Sequence, residues 1–437
     1  MSVNQFEGIR LTQESRRLSD AKSGADHATS GHATPAPRQN VAGGVIDGAR
    51  GPLAGVKVLD LSAYIAGPYG CTLLADQGAD VIKVEPPQGD NLRNYPSTLA
   101  AEGRAFLGVN RGKKGISIDL KNETGKEVLL RLVDQADVLV HNFRPSVPAR
   151  LGIDYETLRA RNPRLIYCAL TGYGDTGPLK DKAGYDQVLQ SMTGICALQG
   201  APGEAEIVYG SVVDYYAASL LAGGVASALF ARERTGQGQY VGISLLASAL
   251  AMQSARFVWA ASEPKEVFRD MRSGGITGLH PTRAGSIYLS ANTPRFWNAL
   301  CELVALPELA REPRYDTVRK RAECAAEIVP RLREALQAHT ALEWESIFGD
   351  QVPCAPARQI EDMFDHPQVL AQDLVATYEH PLAGSYRGLA RPIRFGKEPL
   401  PTPGAAPALG QHTDQVLAES GWSAEEIARL RAAGALP

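Results

Sequence analysis

Val56-Lys-Val-Leu-Asp-Leu61, Gly67 to Gln77 and Val81-Ile-Lys-Val-Glu85 together decide the fold. The first and third are short runs rich in β-branched residues and leucine, read as buried strands, and the middle stretch reads as a helix. Strand, helix and strand in succession make a parallel pair, because parallel pairing needs a crossover and a helix supplies it. The alternation continues through strand Ile116 to Leu120, helix Thr124 to Gln135, strands Asp137 to Phe143 and Leu165 to Thr171, and a helix beginning near Tyr185. The expectation is an α/β chain whose large domain, residues 52–250, is a parallel sheet with helices on both faces.

The texture changes after Leu250. A Gly-rich segment, Ser273-Gly-Gly-Ile-Thr-Gly278, precedes helix-like stretches from Arg295 to Val304 and from Thr317 to His339. This predicts a smaller α+β domain over residues 251–380. Strand candidates Thr377 to His380 and Arg391 to Phe395 lead into a Pro-rich connector, Pro399 to Pro407, expected to be extended rather than packed. Residues 381–437 form a C-terminal segment returning to the large domain, and its last helix opens with the capping box Ser423-x-x-Glu426. At the other end, residues 1–51 are rich in Ser, Gly, Ala, Thr and Asn with almost no aromatic anchor, which predicts a disordered extension. No internal repeat of solenoid period is present.

The 437 residues, 44% hydrophobic and 21% charged, have ordinary globular composition. A net charge of -3 gives no global basic field for nucleic acid or an anionic membrane, so an anionic ligand needs a local site. The six cysteines are dispersed without a Cys-x-x-Cys pair, which disfavours a zinc ribbon or disulfide framework and suits a reducing cytoplasm. The longest apolar run, Ala217 to Ala231, is shorter than the ~18 residues of a membrane span and reads as a buried helix. Arg/Ser content around Arg10 to Ser19 is faintly like a transit peptide, but Glu7, Glu14 and Asp20 oppose that reading.

Nucleotide motifs are missing where an open parallel sheet would carry them. No Gly-x-Gly-x-x-Gly follows the first strand, no phosphate-loop motif occurs, and Gly172-Tyr-Gly-Asp-Thr-Gly177 runs into Pro178 where a helix should open. No metal-ligand spacing and no Gly-x-Ser-x-Gly elbow is found, so neither a metal nor a serine nucleophile is expected. What stands out is Asp214, in Tyr209-Gly-Ser-Val-Val-Asp-Tyr-Tyr216, just before the apolar helical run that ends near Arg234. A carboxylate there faces the positive end of a helix dipole, which favours its ionised, nucleophilic form. A simple helix cap is the alternative reading of the same residue.

The sequence also carries a resemblance. Leu53-x-Gly-Val-Lys-Val-Leu-Asp-Leu-Ser62, Ala66-Gly-Pro68, Gly78-Ala-Asp-Val-Ile-Lys-Val-Glu85 and Asn110-Arg-Gly-Lys-Lys114 resemble the opening of class III CoA-transferases. Asp137-Val-Leu-Val-His-Asn-Phe-Arg-Pro145, Arg150-Leu-Gly152, Thr171-Gly-Tyr-Gly174, Gly177-Pro178, Ala183-Gly-Tyr-Asp186, Thr235-Gly-Gln-Gly238 and Leu409-Gly-Gln-His-Thr413 are similar to further signatures of that family, in the expected order. The resemblance implies a Rossmann-like large domain, an interlocked homodimer and CoA thioesters as substrates, with no permanently bound cofactor.

It further implies that Asp214 is the catalytic aspartate, attacking an acyl-CoA to give a mixed anhydride and then an aspartyl-CoA thioester. Backbone N–H groups around Gly274 and Gly275 are candidate oxyanion donors, an ordinary flexible turn being the alternative. Ile65, Ala66, Asn142 and Phe143 match contacts to the CoA moiety, and Lys121, Arg144 and Arg150 are candidates for its phosphates. Pro86 and Ile65 replace more polar residues of some relatives, which bears on the adenine contacts. The wording resembles relatives acting on short dicarboxylates, so succinyl-CoA is the expected donor.

Two other readings stand beside this one. Alpha-methylacyl-CoA racemases of the same family use the aspartate as an acid/base with a histidine, whose slot here holds Tyr185; a phenol of ordinary pKa about 10 is a poor proton shuttle. Tyr185 is instead a candidate for lining the acyl pocket or donating to a thioester oxygen, simple packing in the core being the alternative. A non-catalytic acyl-CoA binding protein is the other reading, and the intact Asp214 context opposes it.

Overall fold

The computed structural model describes residues 51–99, 101–199, 204–263, 275–397 and 400–437. Its centre is a six-stranded sheet of β1 (Lys57–Asp60), β2 (Asp80–Glu85), β3 (Lys114–Ser117), β4 (Val138–His141), β5 (Ile166–Thr171) and β6 (Tyr240–Ser244). All strands are parallel and lie in the order β3-β2-β1-β4-β5-β6. The order reverses between β1 and β4, and such a switch point opens a crevice at the carboxyl ends of the strands. β6 was not expected, since Gly242 and an exposed edge hide its pattern.

Successive strand residues point to opposite faces, and both faces are covered. Val58, Val138 and Cys168 look toward α1 (Ala66–Asp76), and Leu59, Leu139 and Tyr167 look the other way. The remaining short helices of this half are α2 (Arg104–Val109), α3 (Glu123–Val133), α4 (Ser146–Leu151), α5 (Tyr155–Arg161) and α6 (Asp186–Met192). They are followed by the long α7 (Val212–Thr235) and by α8 (Leu245–Ala251). At Gly70 a Cβ would come within 2.9 Å of the Leu221 side chain, so glycine lets α1 and α7 touch. By length and composition α7 is able to cross a membrane. Its Val213, Leu221 and Val225 nonetheless lie in the sheet core, and its buried Arg232 pairs with Asp137 at 2.9 Å.

Residues 276–356 have an apolar cluster of their own, centred on Trp297, Leu300, Ile328, Trp344 and Phe348. The antiparallel strands β7 (Gly278–Pro281), β8 (Ser286–Leu289) and β9 (Cys354–Pro356) pack there. So do α9 (Pro294–Leu303), α10 (Pro307–Arg311), α11 (Val318–Glu323), α12 (Ala325–Ala335) and α13 (Ala341–Phe348). The stretch from Thr317 to His339 is thus two helices and a short 3-10 turn. The break falls at Cys324, after Arg321 has been anchored to the Tyr315 and Ala291 carbonyls.

Two expectations are corrected beyond this point. After α14 (Pro367–Ala371), β10 (Val375–His380) pairs with β11 (Gly384–Leu389), and the strand expected at Arg391 to Phe395 does not form. Gly384 at φ +72° closes the turn early, and Pro392 has no N–H to give a ladder. The described part of the Pro-rich connector is extended but packed. Gly112 donates to the Gly404 carbonyl (2.8 Å), Arg93 to that of Pro407 (3.1 Å), and Ala406 is buried.

The chain then covers the free edge of β3. His412 accepts from Gly115 N–H through Nδ1 (3.0 Å) and returns its own N–H to the Gly115 carbonyl (2.8 Å). Thr413 accepts from Ser117 N–H. α15 (Thr413–Glu419) and α16 (Ala424–Ala432) add Val416, Leu417 and Ile427 to the apolar layer on α3, and the Ser423/Glu426 capping box is formed. All six cysteines are unpaired.

Candidate active site

The chain enters α7 through two consecutive left-handed residues, Gly210 (φ +110°) and Ser211 (φ +55°). A serine caps a helix from an extended backbone, and Ser211 in this conformation does not cap. Asp186, the first residue of α6, does so from across the turn. One of its carboxylate oxygens accepts from Val213 N–H (2.7 Å) and from Asp214 N–H (3.0 Å), and the residue is 2% exposed. Gln190, one helical turn on, donates to the other Asp186 oxygen. It also grips Val208, donating to its carbonyl (2.8 Å) and accepting from its N–H (2.9 Å).

The Asp214 carboxylate makes neither a hydrogen bond nor an ion pair among the described residues, and its oxygens are not among the sealed, unpartnered ones. Burial, with the charge of Asp186 added, pushes its carboxyl up to about 7. Burial thus outweighs the acidifying effect expected of the helix end, whose Val213 and Asp214 N–H groups are taken by Asp186. The capping alternative is likewise answered by Asp186 rather than Asp214.

Tyrosines surround this corner. Tyr215 packs edge-on against Tyr69 of α1 (4.9 Å between ring centroids), and Tyr185, half exposed, packs edge-on against Tyr64 (5.8 Å). A hydrogen bond with Tyr64 raises the Tyr185 phenol above its ordinary value, with Arg144 pulling weakly the other way. Tyr64 accepts from Asn91 through its hydroxyl (2.8 Å) and donates its N–H to Asp90 (3.3 Å).

Asp90 belongs to a cleft of 580 Å³ at the carboxyl ends of β1, β2 and β4, beside the switch point. Ser62, Ala63, Pro86, Lys121 and Phe143 line it as well. Contacts therefore run unbroken from this cleft through Asp90, Tyr64, Tyr185 and Asp186 to the backbone of Asp214.

The remaining predicted residues fall into distinct places. Lys121, Arg144 and Arg150 are exposed, and no side-chain partner is found for any of them among the described residues. Arg144 lies in the loop after β4 and Arg150 in the last turn of α4, both outside the cleft lining. The Asn142 amide is spent on the backbone, accepting from Ala63 N–H (3.0 Å) and donating to the Ala63 carbonyl (2.7 Å), so it ties the ends of β1 and β4 together. Ile65 is part-buried at the start of α1, and the Ala66 methyl lies in the core. Gly274 lies outside the described residues. Gly275 is exposed at φ +86° and does not line the cleft.

A buried charge network supports the cleft from below and was not singled out in the sequence. Lys83 donates to the Ser62 carbonyl (2.6 Å) and to Asp90 (3.0 Å). Arg93 forks onto Glu85 (2.8 and 2.7 Å), which also accepts from Asp90 N–H. Lys113 donates to Asp60 (2.8 Å) and to the Pro68 carbonyl (2.7 Å), with both charges of the pair fully buried. Burial pushes the Asp60 carboxyl up, but Lys113 and Lys83 outweigh it and hold it below its ordinary value. The readable signal was a lysine in the middle of the buried strand Val81-Ile-Lys-Val-Glu85. Among the described residues no group of three His, Cys, Asp or Glu side chains is arranged to hold a metal.

Comparison with known proteins bears on the family and the fold. The profile of CoA-transferase family III matches residues 53–413. The succinate–glutarate CoA-transferase of Agrobacterium fabrum is 34% identical over 386 residues, covering 84% of this chain and 95% of that protein. The human succinyl-CoA:glutarate CoA-transferase is 32% identical over 375 residues, covering 84% and 86%. The acetyl-CoA:oxalate CoA-transferase of Acetobacter aceti is 36% identical over 340 residues, covering 75% and 86%. A crystal structure of a CaiB/BaiF family protein from Brucella suis superposes with a TM-score of 0.75 at 31% identity, covering 85% of this chain and all of that one. With a matching profile over most of its length, relatives of one enzyme class and the same fold, the chain belongs to family III of the CoA-transferases.

Proposed function

We propose that this enzyme carries CoA from succinyl-CoA to a second short carboxylic acid, with Asp214 as the covalent carrier. The observation that supports this best is the Asp214 carboxyl itself, unpartnered and raised to about 7 at the mouth of a helix. A more basic carboxylate is a better nucleophile, and at neutral pH about half of it is ionised. The choice of succinyl-CoA rests on the names of the relatives, several of which act on succinyl-CoA with a second dicarboxylate.

In the reaction the ionised Asp214 oxygen attacks the thioester carbonyl, and the C–S bond breaks to give a mixed anhydride and CoA thiolate. The thiolate attacks the aspartyl carbonyl of the anhydride, releasing the donor acid and leaving an aspartyl-CoA thioester. The acceptor carboxylate attacks that thioester, and the thiolate it expels takes the acceptor acyl group from the second anhydride, returning Asp214. No ATP enters, because each intermediate keeps the activation of the last. Lys121, Arg144 and Arg150 hold the phosphates of CoA, and the cleft beside the switch point takes its adenosine. Ile65, Ala66, Asn142 and Phe143 frame the entry to it. Gly275 and its neighbour Gly274 remain the candidates for oxyanion donation.

Proton shuttling is disfavoured for the same site, because Tyr185 in the slot of a second acid/base is raised further from neutrality. A homodimer is part of the proposal. Tyr209 (86% exposed), Phe257 (70%) and Trp259 (56%) present aromatic surface of the kind a partner covers. Six unpaired cysteines suit a cytoplasmic enzyme.

Incubation with succinyl-CoA and glutarate, followed by mass spectrometry of the thioesters, tests the activity. Exchange should appear in the wild type and vanish in Asp214→Ala; full exchange by that variant refutes the carrier role. Deuterium entering alpha to the thioester carbonyl without an acceptor acid would instead reveal a racemase. Light scattering should give twice the chain mass.

A further inference from the structure

We infer that Asp186 is a positioning residue for the nucleophile: seated on the Val213 and Asp214 N–H groups, it fixes where Asp214 stands and takes the helix-end stabilisation that Asp214 would otherwise receive. This deepens the reading of Asp214 as the CoA carrier and rests on it.

Three observations carry the inference. Ser211, at the cap position of α7, is turned left-handed and cannot serve the helix end, so these N–H groups depend on a residue from another helix. Asp186 supplies it while buried, and its second oxygen is held by Gln190, which also clamps Val208 in the approach to α7. The carboxylate therefore cannot swing away without releasing both the turn and the helix. Finally, Asp214 has its backbone bound by Asp186 while its side chain stays unpartnered.

The surroundings of Asp214 leave Asp186 as the charge that counts. From α6 comes Asp186, on α7 stands Tyr215, and from α1 comes Tyr69 against Tyr215. Arg111 lies behind those two rings and is ion-paired with Asp76 at 2.5 Å. No described cation is paired with Asp214. A negative charge facing another raises the energy of the free carboxylate. Acylation removes the charge on Asp214, so the anhydride and the aspartyl thioester escape this repulsion. Asp186 thus favours the covalent states over the resting carboxylate.

Asp186→Asn keeps an acceptor oxygen for the two N–H groups and removes the charge. The pH dependence of carbodiimide labelling of the peptide carrying Asp214, which needs the protonated acid, reads its titration without turnover. The midpoint, near 7 in the wild type, should move down by about 1 pH unit. With succinyl-CoA and glutarate, kcat should fall while KM for succinyl-CoA stays within about twofold, since the CoA handle binds elsewhere. A folded Asp186→Asn protein with an unmoved midpoint overturns the inference. Should that variant fail to fold, Gln190→Leu leaves the charge but frees the clamp. It should lower kcat about tenfold with the midpoint kept, and an unchanged kcat overturns the positioning role. Asp214→Ala separates the two levels. If it is inactive while the Asp186→Asn midpoint is unmoved, the inference about Asp186 falls alone; if Asp214→Ala is active, the carrier reading falls with it.

Discussion

Asp214→Asn should make the protein more stable, and increasingly so as pH rises from 3.8 to about 7. The carboxyl is raised from 3.8 to about 7 by burial and by Asp186. A carboxyl raised on folding binds more protons folded than unfolded between the two values. Stability therefore falls as pH rises through that window, and the loss is complete above the folded value. A gap of about 3 pH units at about 1.4 kcal/mol each gives a cost on the order of 4 kcal/mol, an upper limit since the side chain is part-exposed. Asparagine matches the shape, carries no charge and sacrifices no hydrogen bond of the side chain. Denaturant unfolding followed by tryptophan fluorescence at pH 5 and pH 8.5 should show a small advantage for the variant at the lower pH. At the higher pH the advantage should grow by roughly 2–3 kcal/mol. An equal gap at both pH values would show that the carboxyl ionises as it does in water, and the reading of a strained nucleophile would be wrong.

Arg144→Ala should raise KM for an acyl-CoA about tenfold with little change in kcat, and the penalty should shrink as salt rises; a salt-independent KM would take Arg144 off the phosphates. Lys113→Met leaves Asp60 buried without its partner and should cost about 3–5 kcal/mol in chemical denaturation, whereas a change below ~1 kcal/mol would mean water reaches the pair. Gly70→Val, which thrusts side-chain atoms into Leu221, should destabilise by about 1–3 kcal/mol, and a neutral result would show that α1 and α7 can part.

The strands whose apolar runs face helices on both sides were readable directly, because Val58 and Leu59 need opposite faces to be buried. β6 and β11 were not, since glycine and polar residues at a sheet edge carry little period. Asp214 was legible from its place before an apolar helix, and from the resemblance. Its charge state was not, because the decisive partner, Asp186, comes from a different helix, 28 residues earlier in the chain. Asn142 shows the converse: the motif drew attention to it, but its amide is used to join two strand ends. Lys83 and Lys113 went unassigned because a lysine reads as surface until the carboxylates that hold it inside are known.

The sealing of β3 by His412 and Thr413 reaches across nearly three hundred residues of chain. While the protein is being synthesised, that strand leaves the ribosome long before the segment that covers it. Its amide groups stay open to pairing with another nascent chain until the segment carrying His412 and Thr413 has emerged. Slow codons or a stalled ribosome anywhere between β3 and His412 would lengthen this vulnerable interval. Chaperone demand for this enzyme should therefore track the time that separates synthesis of β3 from synthesis of the segment that covers it.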